Sequence, residues 1–300
     1  MVRVPRTVFA IFGPTGVGKT GLALALAARL RARGERPVAV SADALQVYAG
    51  LELLTGVADA AAQTELEHRL VGFVPVTETF SAGRYAELAH AEIDGLLAEG
   101  STPIVVGGTG LYLRAALAEL ELRPEVPPSV RAEVIAAIER DGPQAARADL
   151  VARAPWTADT VRASDTHRLV RTLELEAVGA LTPPRAESQL WTQETRHPTR
   201  LLACVMERTA LDAAIDARVE AMVAAGAADE VRRAEATGAS GTARKALGYA
   251  ELLAGDVETM QRKTRRYARR QLTWLRKLPG VETIDLTGRD PVDVAAELLP

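Results

Sequence analysis

The chain has a single cysteine, Cys204, so no internal disulfide can form, and its His and Cys residues nowhere fall at zinc-ligand spacing. Neither sign of charge is in large excess. The 36 basic residues stand against 39 acidic ones, a net charge of −3, so the whole molecule is not built to attract nucleic acid and any such binding must use local patches. No apolar run approaches the roughly 18 residues of a membrane span. Met1-Val-Arg-Val-Pro-Arg6 has no apolar segment of signal-peptide length. With the scarcity of cysteine, these absences predict a cytoplasmic protein with no membrane partner. What is present, 300 residues of which 48% are hydrophobic and 25% charged, suffices for one large domain or a core domain with a smaller one inserted.

The most informative stretch is Gly13-Pro-Thr-Gly-Val-Gly-Lys-Thr20, between the apolar run Val8–Phe12 and the Ala/Leu-rich run Gly21–Leu30. Strand, loop and helix in that order, with the spacing G-x-x-x-x-G-K-[ST], make a phosphate loop. Backbone N–H groups and a helix N-terminus surround an anion, the lysine adds a point charge, and the hydroxyl can hold Mg²⁺. Gly13, Gly16 and Gly18 are expected to take positive φ and let the backbone approach the ligand, which must carry a di- or triphosphate. The next apolar run, Pro37–Ala42, stops at Asp43 and predicts a buried parallel strand whose C-terminal end, where open α/β sheets bind ligands, presents that carboxylate. The alternative, that Asp43 merely caps the following turn, stays open. A third strand from Thr102 ends in Gly107-Gly-Thr-Gly110, where a motor-type nucleotidase would often carry an Asp to order the Mg²⁺ shell, and this argues against simple nucleotide hydrolysis. The glycines before Thr109 suit either close approach by a ligand or a plain turn.

Residues 50–68 read as a loop with a short helical piece over 58–67. His68–Val74 reads as a strand and Ser81–Glu99 as a helix stopped by Gly100. From Arg123 prolines break the pattern and helices follow over Ser129–Arg140, Pro143–Arg153 and Asp165–Val178, with Ser129 and Asp165 as N-caps and 183–198 as the exit of a helical insertion. Within it His167, Arg168 and Arg171 share one side of a helix, a spacing that equally describes a solvated face. Leu201–Met206 returns to the sheet, and a glycine-rich loop sets Arg244 and Lys245 beside a turn at Gly248. The longest helix, Asp256–Leu278, carries Arg262, Lys263, Arg265, Arg266, Arg269, Arg270, Arg276 and Lys277, with Ala268, Leu272, Leu275 and Leu278 as its packing face. In a slightly acidic chain this basic side favours a phosphate backbone over solvent as its partner. Tyr267 and Trp274 read as core in preference to base-stacking.

Taken in order, Gly13–Thr20, Ser41-Ala-Asp-Ala-Leu-Gln-Val-Tyr48, Pro103-Ile-Val-Val-Gly-Gly-Thr-Gly-Leu-Tyr112, Asp165-Thr-His-Arg-Leu-Val-Arg171, Arg244-Lys-Ala-Leu-Gly-Tyr249 and Thr264–Arg276 resemble the tRNA dimethylallyltransferases, also called tRNA isopentenyltransferases, over nearly the whole chain. The resemblance implies an α/β fold, a phosphate-loop NTPase-like parallel sheet formed by 1–122 and 199–300, with a helical insertion domain over 123–198. It implies a monomer that uses Mg²⁺ and has tRNA and dimethylallyl diphosphate as partners, moving the allyl group to the exocyclic amine of the adenine just 3′ of the anticodon. In that likeness Gly13, Pro14, Thr15, Gly16, Val17, Gly18, Lys19 and Thr20 hold the diphosphate, with Lys19 on the leaving group and Thr20 towards Mg²⁺. Asp43 holds and deprotonates the amine, and Thr109 lies near the reacting pair. Asp43, Ala44, Leu45, Gln46, Thr109, Arg131, His167, Arg168, Leu169, Val170, Arg171, Arg244, Lys245, Ala246, Leu247, Gly248 and Tyr249 correspond to tRNA-contacting positions. The chain departs from the family's usual residues at Ala44, over Leu54–Ala58, at Thr166-His167 and at Ala214. Three other readings compete: a small-molecule kinase, a prenyltransferase for free adenine nucleotides and a non-catalytic RNA-binding protein. The basic helix and the insertion weigh against the first two, and intact Lys19, Thr20 and Asp43 against the third.

Overall fold

β1 (Val8–Phe12) is buried at every position, as a parallel strand covered by helices on both faces must be. The computed structural model describes residues 7–183 and 189–300 and divides into two compact units, Glu121–Gln189 forming the second and the remainder the first. The expected absence of a leader at Met1–Arg6, and residues 184–188 of the expected exit, lie outside the described residues. After β1 the first unit runs through α1 (Lys19–Ala32), β2 (Pro37–Ser41), β3 (Tyr48–Ala49), α2 (Glu52–Thr55), α3 (Ala60–Glu65), β4 (His68–Arg69), β5 (Val74–Pro75), α4 (Ala82–Ala98), β6 (Thr102–Gly107) and α5 (Gly110–Leu117). The second unit contributes α6 (Pro128–Asp141), α7 (Pro143–Arg153) and α8 (Thr166–Ala177). The first then resumes with β7 (Thr199–Val205), α9 (Arg208–Ala224), α10 (Ala227–Ala236), α11 (Tyr249–Ala254), α12 (Val257–Leu275), β8 (Glu282–Asp285) and α13 (Pro291–Leu298).

The main sheet has six parallel strands in the order β4-β2-β6-β1-β7-β8. β1 lies near its centre, Ala10 pairing with Val105 of β6 on one side and Leu201 of β7 on the other. Leu22, Leu26 and Leu30 of α1 pack with Phe9, Ile11, Ile104, Leu202 and Ile284 in one core. Each such side chain taken from water contributes roughly 1.5–3 kcal/mol, so α1 and the loop that starts it are firmly seated. In the second unit α6, α7 and α8 close around Ile138, Leu150, Val161, Leu169 and Val170. Its buried Glu174 is paired by Arg131 at 2.6 Å and Arg171 at 3.2 Å, which lets a carboxylate stay inside a small core.

Asp165, Ser81 and Asp256 cap α8, α4 and α12 by accepting backbone N–H bonds from Arg168, Arg84 and Thr259. Ser129 does not cap. α6 starts a residue earlier at Pro128, whose fixed φ suits the first turn and whose missing N–H costs nothing there. The strand expected over His68–Val74 is instead two short strands, β4 and β5, because the chain turns between them with positive φ at Leu70 and Gly72. The second unit ends at Gln189, not at 198: Arg196 donates its backbone N–H to Leu117 O and Trp191 packs against Trp274 at 4.6 Å, so 190–198 run with the first unit.

Two glycines test this packing. A Cβ at Gly95, inside α4, meets nothing within 4 Å, whereas one at Gly107 would lie 2.1 Å from the Ala42 carbonyl oxygen. In urea titrations Gly95→Ala raises the unfolding free energy by ~0.5–1 kcal/mol, while Gly107→Ala lowers it by ~1–3 kcal/mol. The opposite order of the two variants contradicts the packing described.

Candidate active site

At the end of β1 the chain turns into α1 through the phosphate loop. Gly16 and Gly18 take φ of 82° and 95°, which only glycine adopts freely. Gly13 does not. It is needed for space, since a Cβ there would sit 2.6 Å from the Cys204 carbonyl oxygen. Gly18 is the N-cap of α1 and offers no side-chain acceptor, so the first N–H groups of the helix are left to bind an anion. Lys19 folds back over the loop, its Nζ donating to Gly13 O at 3.0 Å and Pro14 O at 2.8 Å.

Asp43 stands just past the end of β2, and Thr109 just past the end of β6, the strand between β2 and β1. Parallel neighbours end on one edge, so all three residues meet there. Asp43 Oδ1 accepts the Leu45 N–H at 3.0 Å, and its Oδ2 accepts from Thr109 Oγ1 at 3.5 Å. Turn-capping and site-facing are thus both true of this carboxylate, one oxygen each. Thr109 Oγ1 is also 3.5 Å from the Tyr267 hydroxyl of α12.

These groups open onto one cavity of about 630 Å³, lined from the loop by Thr15, Gly16, Gly18, Lys19 and Thr20 and elsewhere by Asp43, Ala44, Leu45, Gln46, Thr109, Arg218, Lys245, Leu247, Tyr267, Arg270 and Gln271. Among the described lining residues the lysines and arginines are Lys19, Arg218, Lys245 and Arg270, and His68 also lines the cavity, against one carboxylate, that of Asp43. Desolvation lowers the Lys19 pKa to about 8, the Arg218 guanidinium pushes it the same way, and Cys204 and Asp43 oppose. Desolvation likewise lowers Arg218, with Asp43 opposing. Two cations drawn out of water beside each other are relieved by a polyvalent anion.

Not every expected residue reaches this cavity. Gln46 lines it, but its amide is engaged within the wall: Ser41 Oγ donates to Oε1 at 2.9 Å, and Nε2 donates to Gly56 O at 3.0 Å. Lys245 and Leu247 face the cavity. Arg244 pairs bidentately with Glu235, Tyr249 is buried with its hydroxyl on the same Glu235, and Ala246 is buried. Gly248, at φ 95°, caps α11. In the second unit Arg131 and Arg171 are held on Glu174, Arg168 donates to Thr160 O, and His167 is exposed. The Leu169 and Val170 side chains belong to that unit's core. Gly13, Pro14 and Val17 of the phosphate loop are buried and are not among the residues that line the cavity.

Among the lining residues given no role by sequence reasoning are Arg218 and Gln271, the latter quoted only within the Thr264–Arg276 motif. The signal was a polar residue on an inward stripe: Arg218 lies beside buried Ile215 and Val219 of α9, and Gln271 between buried Ala268 and Leu275 of α12. Trp274, expected as core, packs on Trp191. Tyr267, expected there too, lines the cavity.

Among the described residues no group of three or more His, Cys, Asp or Glu side chains could hold a metal ion. A Mg²⁺ ion brought in by a substrate's phosphates, a common mode for this ion, would have the Thr20 hydroxyl beside the cavity as a protein ligand.

A parallel sheet with a phosphate loop at its centre, and a carboxylate facing that loop across a cationic cavity, define a phosphate-loop α/β protein that handles a polyphosphate compound. The model of the IPP transferase family matches residues 46–278. A tRNA dimethylallyltransferase of Kineococcus radiotolerans is 39% identical, over 97% of this chain and 96% of its own. The chain belongs to the IPP transferase family. Its fold is shared with the solved tRNA isopentenylpyrophosphate transferase of Bacillus halodurans, at TM-score 0.70 and 29% identity over 98% of this chain and 94% of that one. A eukaryotic dimethylallyltransferase acting on tRNA shares the fold at TM-score 0.76 and 22% identity, over 98% of this chain and 77% of its own.

The Lys19 environment makes anion binding pH-dependent. A diphosphate beside the ammonium favours its charged form and raises the pKa from about 8. Above about pH 8 the free protein then holds fewer protons at Lys19 than the complex does, so binding takes up a proton and weakens as pH rises. Calorimetry of inorganic diphosphate with Mg²⁺ at about pH 9, in buffers of different ionisation enthalpy, shows more proton uptake for the wild type than for Lys19→Met. Equal uptake by the two contradicts this electrostatic account.

Proposed function

We propose that this protein transfers the dimethylallyl group of dimethylallyl diphosphate to the exocyclic amine of the adenine just 3′ of the anticodon of tRNA, releasing diphosphate. The observation that carries the reading is the charge of the cavity, where Lys19, Arg218, Lys245 and Arg270 surround a phosphate cradle that faces the carboxylate of Asp43. Such a site suits a leaving group of high negative charge next to a nucleophile that must lose a proton. The family and its relatives named tRNA dimethylallyltransferase support the same reading.

A neutral aryl amine is a weak nucleophile, and the allylic carbon gains positive charge as diphosphate departs. The C–O bond to diphosphate breaks as the N–C bond forms, and the leaving oxygens stay with the loop N–H groups, Lys19 and Arg218. Mg²⁺, when bound by the phosphates and Thr20, adds neutralising charge to the leaving group. The amine proton passes to Asp43 Oδ2, the oxygen not engaged by the Leu45 N–H. Thr109 steadies that carboxylate. The adenine leaves its stack to reach this depth, and tRNA over the cavity mouth excludes the water that would otherwise capture the allyl group.

Arg262, Arg266, Arg269 and Arg276 of the α12 segment are exposed and supply contacts to the tRNA phosphates. Lys263 and Arg265 are less free, paired with Glu251 and Asp216. The protein acts in the cytoplasm as a monomer. Among the described residues no helix is long and apolar enough to cross a membrane.

Incubated with labelled dimethylallyl diphosphate, Mg²⁺ and either unmodified tRNA or adenosine monophosphate, the protein labels the tRNA. Label on the mononucleotide alone, or on neither acceptor, overturns the reading. Asp43→Asn lowers single-turnover transfer by ~10²–10⁴, and an unchanged rate removes Asp43 from the proton transfer. Arg266→Ala with Arg269→Ala flattens the salt dependence of tRNA binding by ~0.7–0.9 in slope per arginine. A slope equal to that of the wild type would show that α12 faces something other than phosphate.

A further inference from the structure

Gln271 is 4% exposed, a primary amide on the inward stripe of a helix whose neighbouring inward residues, Ala268 and Leu275, are apolar. Burying such a group costs free energy unless both ends are bonded, and here both are. Its Oε1 accepts the Thr15 N–H at 2.9 Å, and its Nε2 donates to Gly108 O at 2.7 Å. Thr15 belongs to the phosphate loop after β1, and Gly108 to the loop after β6 that carries Thr109. One side chain therefore spans the two loops and anchors both to the basic helix.

The neighbouring residues fit this bridge closely. A Cβ on Gly108 would lie 2.3 Å from Gln271 Nε2, and one on Gly110 would lie 2.2 Å from the Trp274 ring. The glycines flanking Thr109 thus make room for side chains of α12. The Thr15 N–H, tied to a protein oxygen, is not among the amides that the loop offers to a phosphate. Thr109 is the next residue after the bonded carbonyl, and its hydroxyl meets both Asp43 and Tyr267 at 3.5 Å. Slack in the Gly108 bond moves Thr109, and with it the carboxylate that faces the donor.

We propose that Gln271 is a positioning residue for the transfer: it fixes the separation between the diphosphate cradle and the Thr109–Asp43 pair and holds both in register with the helix that meets tRNA. This deepens the reading of the cavity as a prenyl-transfer site and rests on it. A wholly structural Gln271 would matter for stability and leave turnover at saturating substrates alone, whereas a positioning residue changes turnover, because a displacement of about 1 Å can cost on the order of 100-fold.

The test uses the full-length protein with unmodified tRNA, dimethylallyl diphosphate and Mg²⁺, comparing wild type, Gln271→Met, Gln271→Glu, Thr109→Ala and the Gln271→Met/Thr109→Ala pair. Gln271→Met keeps the length and loses both bonds. Gln271→Glu keeps the acceptor for Thr15, loses the donor to Gly108 and adds negative charge beside the cradle. At saturating substrates kcat falls about 10- to 100-fold in both, while tRNA affinity without donor stays within about twofold. KM for dimethylallyl diphosphate rises further in Gln271→Glu than in Gln271→Met. In the Thr109→Ala background the Gln271→Met loss shrinks to about threefold or less, because the two residues act through one loop.

An unchanged kcat in both single variants, whatever their melting temperatures, overturns the proposal, and so does full multiplicativity of the two losses. If Gln271→Met does not fold, Gln271→Glu and its pair with Thr109→Ala carry the same comparison. A wild-type protein that labels no tRNA is a separate result: it is the failure of the underlying activity, and the positioning role falls with it.

Discussion

Lys19 and Arg218 are drawn out of water side by side, and the cavity they face is lined by one carboxylate, that of Asp43. Like charges held together in a desolvated place repel, and the fold must keep them there until an anion arrives. The sheet order does most of this. β1, β6 and β2 lie side by side and parallel, so the residues that follow each strand, Lys19, Thr109 and Asp43, come to one edge without any long loop. Arg218 is added by α9, which packs on the sheet through Leu211 and Ile215, and Gln271 by α12. The two desolvated cations, Lys19 and Arg218, are thus held by elements seated on the core, while Lys245 and Arg270, both exposed, add charge from the surface.

The part of the cavity wall formed by Leu54, Thr55 and Gly56 is held by buried polar groups whose hydrogen bonds are made. Glu230 of α10 is 4% exposed and accepts the backbone N–H groups of Leu53 and Leu54, the start of a short helix with no cap of its own. Gln46 then donates to Gly56 O just beyond that helix. Burial raises the Glu230 pKa, and the two N–H bonds pull against it. Weakly patterned residues 52–58 are held in place by polar groups outside the segment, Glu230 from far along the chain and Gln46 from ten positions before Gly56, so local sequence reading found only a loop there.

Legibility followed the range of the interactions. The phosphate loop, the strand that delivers Asp43 and the helices of the second unit were readable because spacing, periodicity and cap residues act within a few positions. Arg218 and Gln271 were not, because their partners are distant: Gln271 and Thr15 are 256 positions apart. The glycines around Thr109 were visible as a signal, but not their cause, which is a helix lying on the loop. Leu169 and Val170 stand in a segment that resembles a tRNA contact, and their apolar character, visible in the sequence, is what the core uses. The split of His68–Val74 into two strands depends on the left-handed backbone of Leu70 and Gly72; the glycine hinted at it, the leucine did not.

A crystal structure of the protein with Mg²⁺ and an unreactive thio analogue of dimethylallyl diphosphate would test the central claim most directly. The account predicts the diphosphate seated between the phosphate-loop amides and the Arg218 guanidinium. Lys19 Nζ should turn from the Gly13 and Pro14 carbonyls to a phosphate oxygen, and the allyl carbon should point to the side of Asp43. A diphosphate bound away from Arg218, with Lys19 still on its own loop or the allyl chain facing away from Asp43, would contradict it.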